Sequence, residues 1–403
     1  MPKEKIFLVI CLMSAGLFVI GGCGESPNIP SIFGGNYSQN DDFKGPSAGV
    51  KEQDQDGIFN SLAINPDNAD VVYMGTENNA IFKSTDGFAT WEWLRNGLWH
   101  DERSYPEVYD ITVDPDDPSL VYAALTNGPQ PPDSEKAAGF YKSTNGGEVW
   151  ERSVEGLPNT GATAVAVLEN HKVLLLGLDG EAPSNDQLRN QKIPGGLYQS
   201  TDGGANWTAV PIPEEGVYNK YNRIVVRGDT IYTSGLRWGE EAPGQPRQID
   251  RDNMIGFMKS TDRGQTWEKI NPPNSFCYYF DVAADGQTIY CTSGEEGFKS
   301  TDSGDSWQEL SQYFSNTVKV SPQDPDTVFF ANGNQLNKST DGMVTSETVL
   351  TAGGGYGFDD IEISPSNPNI VYAAERGYIL HKSVDGGETF TEMANLREYI
   401  DST

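Results

Sequence analysis

Seven times along this chain, variants of one octapeptide recur. The fullest copy is Ser200-Thr-Asp202-Gly-Gly204-Ala-Asn-Trp207, and its relatives start at Ser84, Ser143, Ser260, Ser300, Ser339 and Ser383. Successive serines are therefore 59, 57, 60, 40, 39 and 44 residues apart. Four short strands with their turns take about 40 to 50 residues, the size of one propeller blade. The repeat predicts an all-β chain, a seven-bladed β-propeller of four-stranded antiparallel blades over residues 56–396.

Each box reads as a turn between two strands. The run before the serine is strand-like, as in Gly196–Gln199 or Ile255–Lys259, and so is the run from the aromatic onward, as in Trp91–Leu94 or Trp267–Ile270. Between them the carboxylate accepts nearby backbone N–H groups, glycine supplies a left-handed residue, and the aromatic re-enters the sheet as an apolar anchor. The box positions are Asp86, Asn145, Asp202, Asp262, Asp302, Asp341 and Asp385. Copy two has Asn145 for the acid. Copy six has Ser346 where the aromatic belongs, so blade six is expected to be the least firmly anchored.

The pattern resembles the Asp-box, or BNR, repeat of sialidases, xyloglucan-active glycoside hydrolases, sortilin-type receptors and photosystem assembly factors. The resemblance covers roughly residues 56–396 and implies the propeller fold. It does not choose among functions, because those families bind unrelated things.

Length beyond the minimal blade is concentrated in three places, residues 126–138, 177–194 and 235–253. All three fall between the second and third strands of blades two, three and four. In a four-stranded meander those loops share one end of the ring with the four-to-one connections. The boxes lie at the opposite end. The insertions therefore predict a wall on one side of a loop-rich face, where grafted function is expected. Ligand contacts are expected there from Trp99, Arg103, Tyr105, Tyr218, Tyr221, Arg237 and Trp238, since aromatic faces beside charged groups grip sugars or peptides.

For hydrolysis, Tyr73-Met-Gly-Thr-Glu77-Asn-Asn-Ala80 is similar to the first repeat of xyloglucan-active enzymes. That resemblance implies a catalytic role for Glu77, which stands where those enzymes have Asp. They draw the partner carboxylate from a second propeller. Here Asp110, Glu240 or Asp359 are the candidates to replace it. Sialidase features are absent: there is no early Arg-Ile-Pro segment, and no arginine triad is evident. A lyase would draw on His100, Arg103 and Tyr105.

The chain has 58 acidic and 28 basic residues, a formal charge of −30, which disfavours nucleic acid and anionic lipid as partners. Three histidines and no phosphate loop give no reason to expect a metal or cofactor.

The first 22 residues read as a lipoprotein signal. Lys3 and Lys5 precede the apolar stretch Ile6–Ile20, and Ile20-Gly-Gly-Cys23 places Cys23 as the lipidated residue. Residues 23–55 read as a flexible tether and 397–403 as a tail. Export leaves Cys277 and Cys291 as a candidate disulfide, although simple hairpin counting sets them three positions out of register. The reading from sequence is a monomeric, lipid-anchored propeller of the cell envelope. Its loop-rich face would bind a polysaccharide or protein without catalysis. The alternatives are a polysaccharide-active glycoside hydrolase and an assembly factor for a membrane complex. How the last blade is sealed is open, and N-terminal chain is expected to help.

Overall fold

The computed structural model describes Ile29–Pro30, Asn36–Tyr37 and residues 59–395, except 78, 100–104, 127–137, 159, 170–171, 181–194, 213–218, 238–254, 274, 294–295, 313, 315–316, 355–356 and 378. The chain divides into two compact units, Met1–Asp42 and Phe43–Thr403. In the first, Ile29–Pro30 pairs antiparallel with Asn36–Tyr37. The second unit contains seven four-stranded sheets, each a run of four consecutive strands. Their innermost strands are Phe59–Ile64, Glu107–Val113, Ala162–Glu169, Asn219–Arg227, Tyr279–Val282, Val318–Val320 and Phe358–Ile363.

Burial explains why each blade reads as it does. Second strands such as Val72–Thr76, Val121–Thr126 and Val371–Glu375 are buried at every position, because both faces pack on neighbouring blades. Outermost strands such as Thr208–Ala209 and Glu268–Lys269 are exposed. The core thus lies between blades. One cluster joins Tyr73, Ile81 and Leu94 of blade one to Val108, Val121 and Trp150 of blade two. The box aromatics Trp150, Trp207 and Trp267 are buried, and the Trp207 ring meets Phe140 of the preceding blade edge-on at 4.9 Å. Gly204 allows that approach: at φ +92°, a Cβ there would lie 2.4 Å from the Phe140 ring. Ser346 of blade six is exposed and makes a polar contact to Gln312 instead.

Each blade, including the first and the last, takes its four described strands from one consecutive run. Apart from Ile29–Pro30 and Asn36–Tyr37, the N-terminal chain expected to help seal the ring lies outside the described residues. Blades seven and one share an apolar cluster that includes Leu62, Val72, Phe88, Tyr372 and Leu380. The Tyr372 hydroxyl donates to Ala69 O at 3.1 Å, and Lys382 Nζ pairs with Asp70 at 2.8 Å.

The Cys277–Cys291 disulfide forms, with Cα atoms 5.4 Å apart. Cys291 stands opposite Phe280, so the count of three positions is correct. The chain before the strand folds back, and Tyr278 N donates to Thr292 O at 2.8 Å, which brings Cys277 over its partner. Cys23 lies outside the described residues, as do 127–137, 181–194 and 238–254 of the three insertions. Among the described residues no helix is long and apolar enough to cross a membrane.

Candidate functional site at the channel mouth

The box end repeats one hydrogen-bond scheme seven times. Each box serine donates to the Oδ1 of its acid or amide at 2.7–2.9 Å. Each also accepts the backbone N–H four residues on. In the six aspartate copies, Oδ2 takes a side-chain donor four residues later: Thr90, Asn206, Thr266, Ser306, Thr345 or Thr389. Asn145 has one acceptor oxygen, and its fourth neighbour is Val149, which has no side-chain donor to offer. These bonds hold the box carboxyls below the usual range, Asp202 and Asp262 at about 2. Side chains of one blade reach the next: Lys83 Nζ and the Tyr73 hydroxyl both donate to Gly146 O. The box end is thus a structural belt.

The seven innermost strands line a central cavity of about 580 Å³. Five of them carry a β-bulge, with register shifts at Phe59/Ser61, Val108/Asp110, Ala162/Ala164, Tyr221/Arg223 and Phe358/Asp360. A bulge adds one residue and turns the side chains beyond it to the other face. Val108, Tyr221 and Phe358 turn into the core, while Tyr109, Asn222 and Asp359 line the channel. The inner strands of blades five and six pair without such a shift and present Tyr279 and Thr317 at the equivalent level.

Below this tier runs a stapling ring. Asp110 Oδ2 accepts Val165 N, Asp281 Oδ2 accepts Val320 N, and Asp360 Oδ2 accepts Leu62 N, at 2.8–2.9 Å. Ser61 Oγ does the same for Ile111 N at 3.0 Å. Four blade junctions, including the closing one, are thereby tied by side-chain acceptors. Burial pushes the Asp110 carboxyl up to about 6 and that of Glu362, beside Lys319, up to about 7. Asp281 also feels burial. Lys319, Arg223 and Arg227 outweigh it and hold that carboxyl low.

At the mouth, charges are paired. Lys220 Nζ lies 3.0 Å from Asp179 Oδ2 and donates to the Tyr109 hydroxyl at 3.0 Å. Burial alone would lower the lysine, but Asp179 and Tyr109 prevail and hold the ammonium well above its ordinary value. Arg376 binds Asp359 Oδ1 through Nε at 3.0 Å and Nη2 at 2.8 Å. Tyr278 and Tyr279 meet edge to face at 4.5 Å, and burial raises both phenols.

Of the expected site residues, the structure brings Asp110 and Asp359 to the channel, and Asp110 is used as a staple. Glu77 is half-buried beyond the end of Val72–Thr76. Trp99 and Arg237 are half-buried at the same end. Tyr221 and Tyr105, expected as ligand contacts, are packing residues. Tyr221 is 1% exposed because the bulge turns it inward, and Tyr105, at 9%, accepts from Arg95 and packs on Trp93 at 4.9 Å. Arg103, Tyr218, Trp238 and Glu240 lie outside the described residues. Among the described residues, no three His, Cys, Asp or Glu side chains gather as metal ligands.

Sequence reasoning missed Tyr109, Asn222, Lys220 and Thr317. A signal for the first two exists. Val108-Tyr109-Asp110-Ile111 and Tyr221-Asn222-Arg223-Ile224 set two channel-facing residues between core residues, which breaks strict alternation and marks a bulge.

The chain matches no protein-family model. Over 261 residues, 59% of the chain, it is 25% identical to the xyloglucanase Xgh74A of Acetivibrio thermocellus, and the match spans 29% of that protein. This is a seven-bladed propeller related to the xyloglucanases. The GH74 xyloglucanase structure from Xanthomonas campestris superposes with a TM-score of 0.61 at 18% identity, covering 85% of this chain and 55% of that one. YCF48 from Cyanidioschyzon merolae superposes with a TM-score of 0.53 at 12% identity, covering 82% of this chain and 96% of that one. The match thus spans less than a third of the curated xyloglucanase, and the superposition covers nearly all of the YCF48 chain.

Proposed function

We propose that this chain acts on a polysaccharide at its loop-rich end, as a lipid-anchored propeller of the cell envelope with Glu77 as its principal carboxylate. The sequence match to a xyloglucanase carries the reading. The local structure around Glu77 supports it. Thr76 Oγ1 donates to Ala80 O at 2.9 Å and accepts Asn79 N at 3.0 Å, and Ala80 takes a left-handed φ of +58°. This tight turn fixes the backbone on which Glu77 is presented. Glycoside hydrolysis needs a second carboxyl group about 5–9.5 Å from the first. Asp359, ion-paired with Arg376 at 2.8 Å, is one candidate, and Glu240 of the blade-four insertion is the other. The Cys277–Cys291 disulfide agrees with export to an oxidising compartment.

A second reading, a binding module without turnover, is favoured by one observation: the chain corresponds to one whole ring of the YCF48 type. Incubation with xyloglucan and measurement of new reducing ends separates the two. Turnover that falls by orders of magnitude in Glu77→Gln while binding persists supports hydrolysis. Binding without turnover in the unmodified chain supports the module. For the anchor, Cys23→Ser should release the protein from the membrane fraction and abolish lipid labelling; unchanged partition and labelling exclude it.

A further inference from the structure

We propose that the channel mouth is a subsite for one neutral sugar unit, a chain end or a branch, that enters the ring end-on between Tyr279, Thr317 and Asn222. The inference rests on the polysaccharide reading and names the part of the glycan that the ring itself would take.

The leading observation is Thr317. Its side chain lines the cavity, it is 4% exposed, and its hydroxyl has no hydrogen-bond partner among the described residues. Buried hydroxyls in folded proteins are nearly always satisfied, and one that is not calls for a ligand or solvent partner. A hydroxyl both donates and accepts, which suits another hydroxyl better than a carboxylate or an ammonium.

The surroundings agree. Tyr278 and Tyr279 offer aromatic surface with phenol groups that stay protonated, the combination used to pack the apolar face of a sugar ring and bond its edge. Asn222 adds an amide beside Tyr278. Charge selects against ions. Among the described residues at the mouth, Lys220 and Arg376 are each bound to an aspartate, so a phosphate or uronate reaching them would meet Asp179 and Asp359 as well. The staple carboxylates beneath hold backbone N–H groups and are already engaged. A cavity of about 580 Å³ is in the usual range for a small-molecule site.

The experiment is calorimetric titration of the full chain with a xylose-branched glucan oligosaccharide and with unbranched cellotetraose, on wild type, Thr317→Val and Thr317→Ser. Thr317→Val is nearly isosteric and should weaken the oligosaccharide that fills the mouth about tenfold, the worth of one buried polar contact. Thr317→Ser should retain binding. The branched and unbranched probes tell a branch from a chain end. Equal affinity of wild type and Thr317→Val for a bound oligosaccharide overturns the subsite and leaves the polysaccharide reading standing. If neither oligosaccharide binds wild type and xyloglucan is not cleaved, both fall. Loss of binding in Thr317→Ser as well as in Thr317→Val, with the fold intact by circular dichroism, also overturns it, because shape and not the hydroxyl would be responsible.

Discussion

The two ends of the ring solve different problems. At the box end, seven copies of one turn repeat the same serine bonds, six add a side-chain donor to the carboxylate, and lysines and tyrosines of one blade close on the next. At the mouth the sevenfold pattern breaks. Five inner strands are bulged and two pair in plain register, and the ion pairs differ from blade to blade. A threonine hydroxyl is buried there with no partner among the described residues. Repetition marks where the chain builds stability. Departure from it marks where the chain has been shaped for something else.

The sharpest way to break this contrast is Trp207→Ala. The ring is buried against Phe140, so unfolding in urea should show a loss of about 3–5 kcal/mol. A loss below about 1 kcal/mol would mean that the box aromatic does not anchor the blade.

A second test uses pH on Asp110→Asn. The folded carboxyl stands at about 6, against about 3.9 in unfolded chain. The folded state therefore resists ionisation. Its contribution is fully present below pH about 4 and lost as pH climbs through about 6, a fall of about 3 kcal/mol. Asparagine keeps an acceptor for Val165 N and cannot ionise, so the stability curve of the variant should be flatter in that window. Ser61, Arg223 and Glu362 face the same carboxyl and will modulate the slope. The box carboxyls act with the opposite sign. Asp202 and Asp262, at about 2, contribute stability above the unfolded value that is lost as pH falls toward 2. An unchanged curve in Asp110→Asn would show that the Asp110 carboxyl is not the group that titrates in that window.

Ser200→Ala deletes a fully buried hydroxyl with three bonds and should cost about 1–3 kcal/mol. The same substitution at Ser84 or Ser300 should cost a similar amount, with glycan binding untouched. Strongly unequal costs would show that the box end is less uniform than its geometry. The smallest effect is expected at Thr317→Val, where removing an unsatisfied buried hydroxyl should raise stability by about 0.5–1 kcal/mol. Destabilisation there would show that the hydroxyl has a structural partner in solution.

How far the sequence could be read depends on the range of the interactions. The octapeptide specifies its turn by itself, because the serine, the carboxylate and the donor four residues on all bond within a few residues. Seven copies then fix the blade count, and strand parity separates the box end from the loop-rich end. Glycine and aromatic positions of the box were legible for the same local reason. The disulfide was only half legible: the register count was right, but the fold-back before Tyr278 that closes the gap depends on Thr292 across the hairpin. The mouth was not legible. Tyr221 and Arg223 share a face under simple alternation, and a single bulge sends one to the core and the other to the channel. Ring closure likewise depends on Asp360 meeting Leu62 N from the far end of the chain. Sequence alone determined the turns, the repeat and the count of blades, because each is written in adjacent residues. The tertiary structure decided which residues meet at the axis, since that tier takes one residue from each of several strands tens of residues apart.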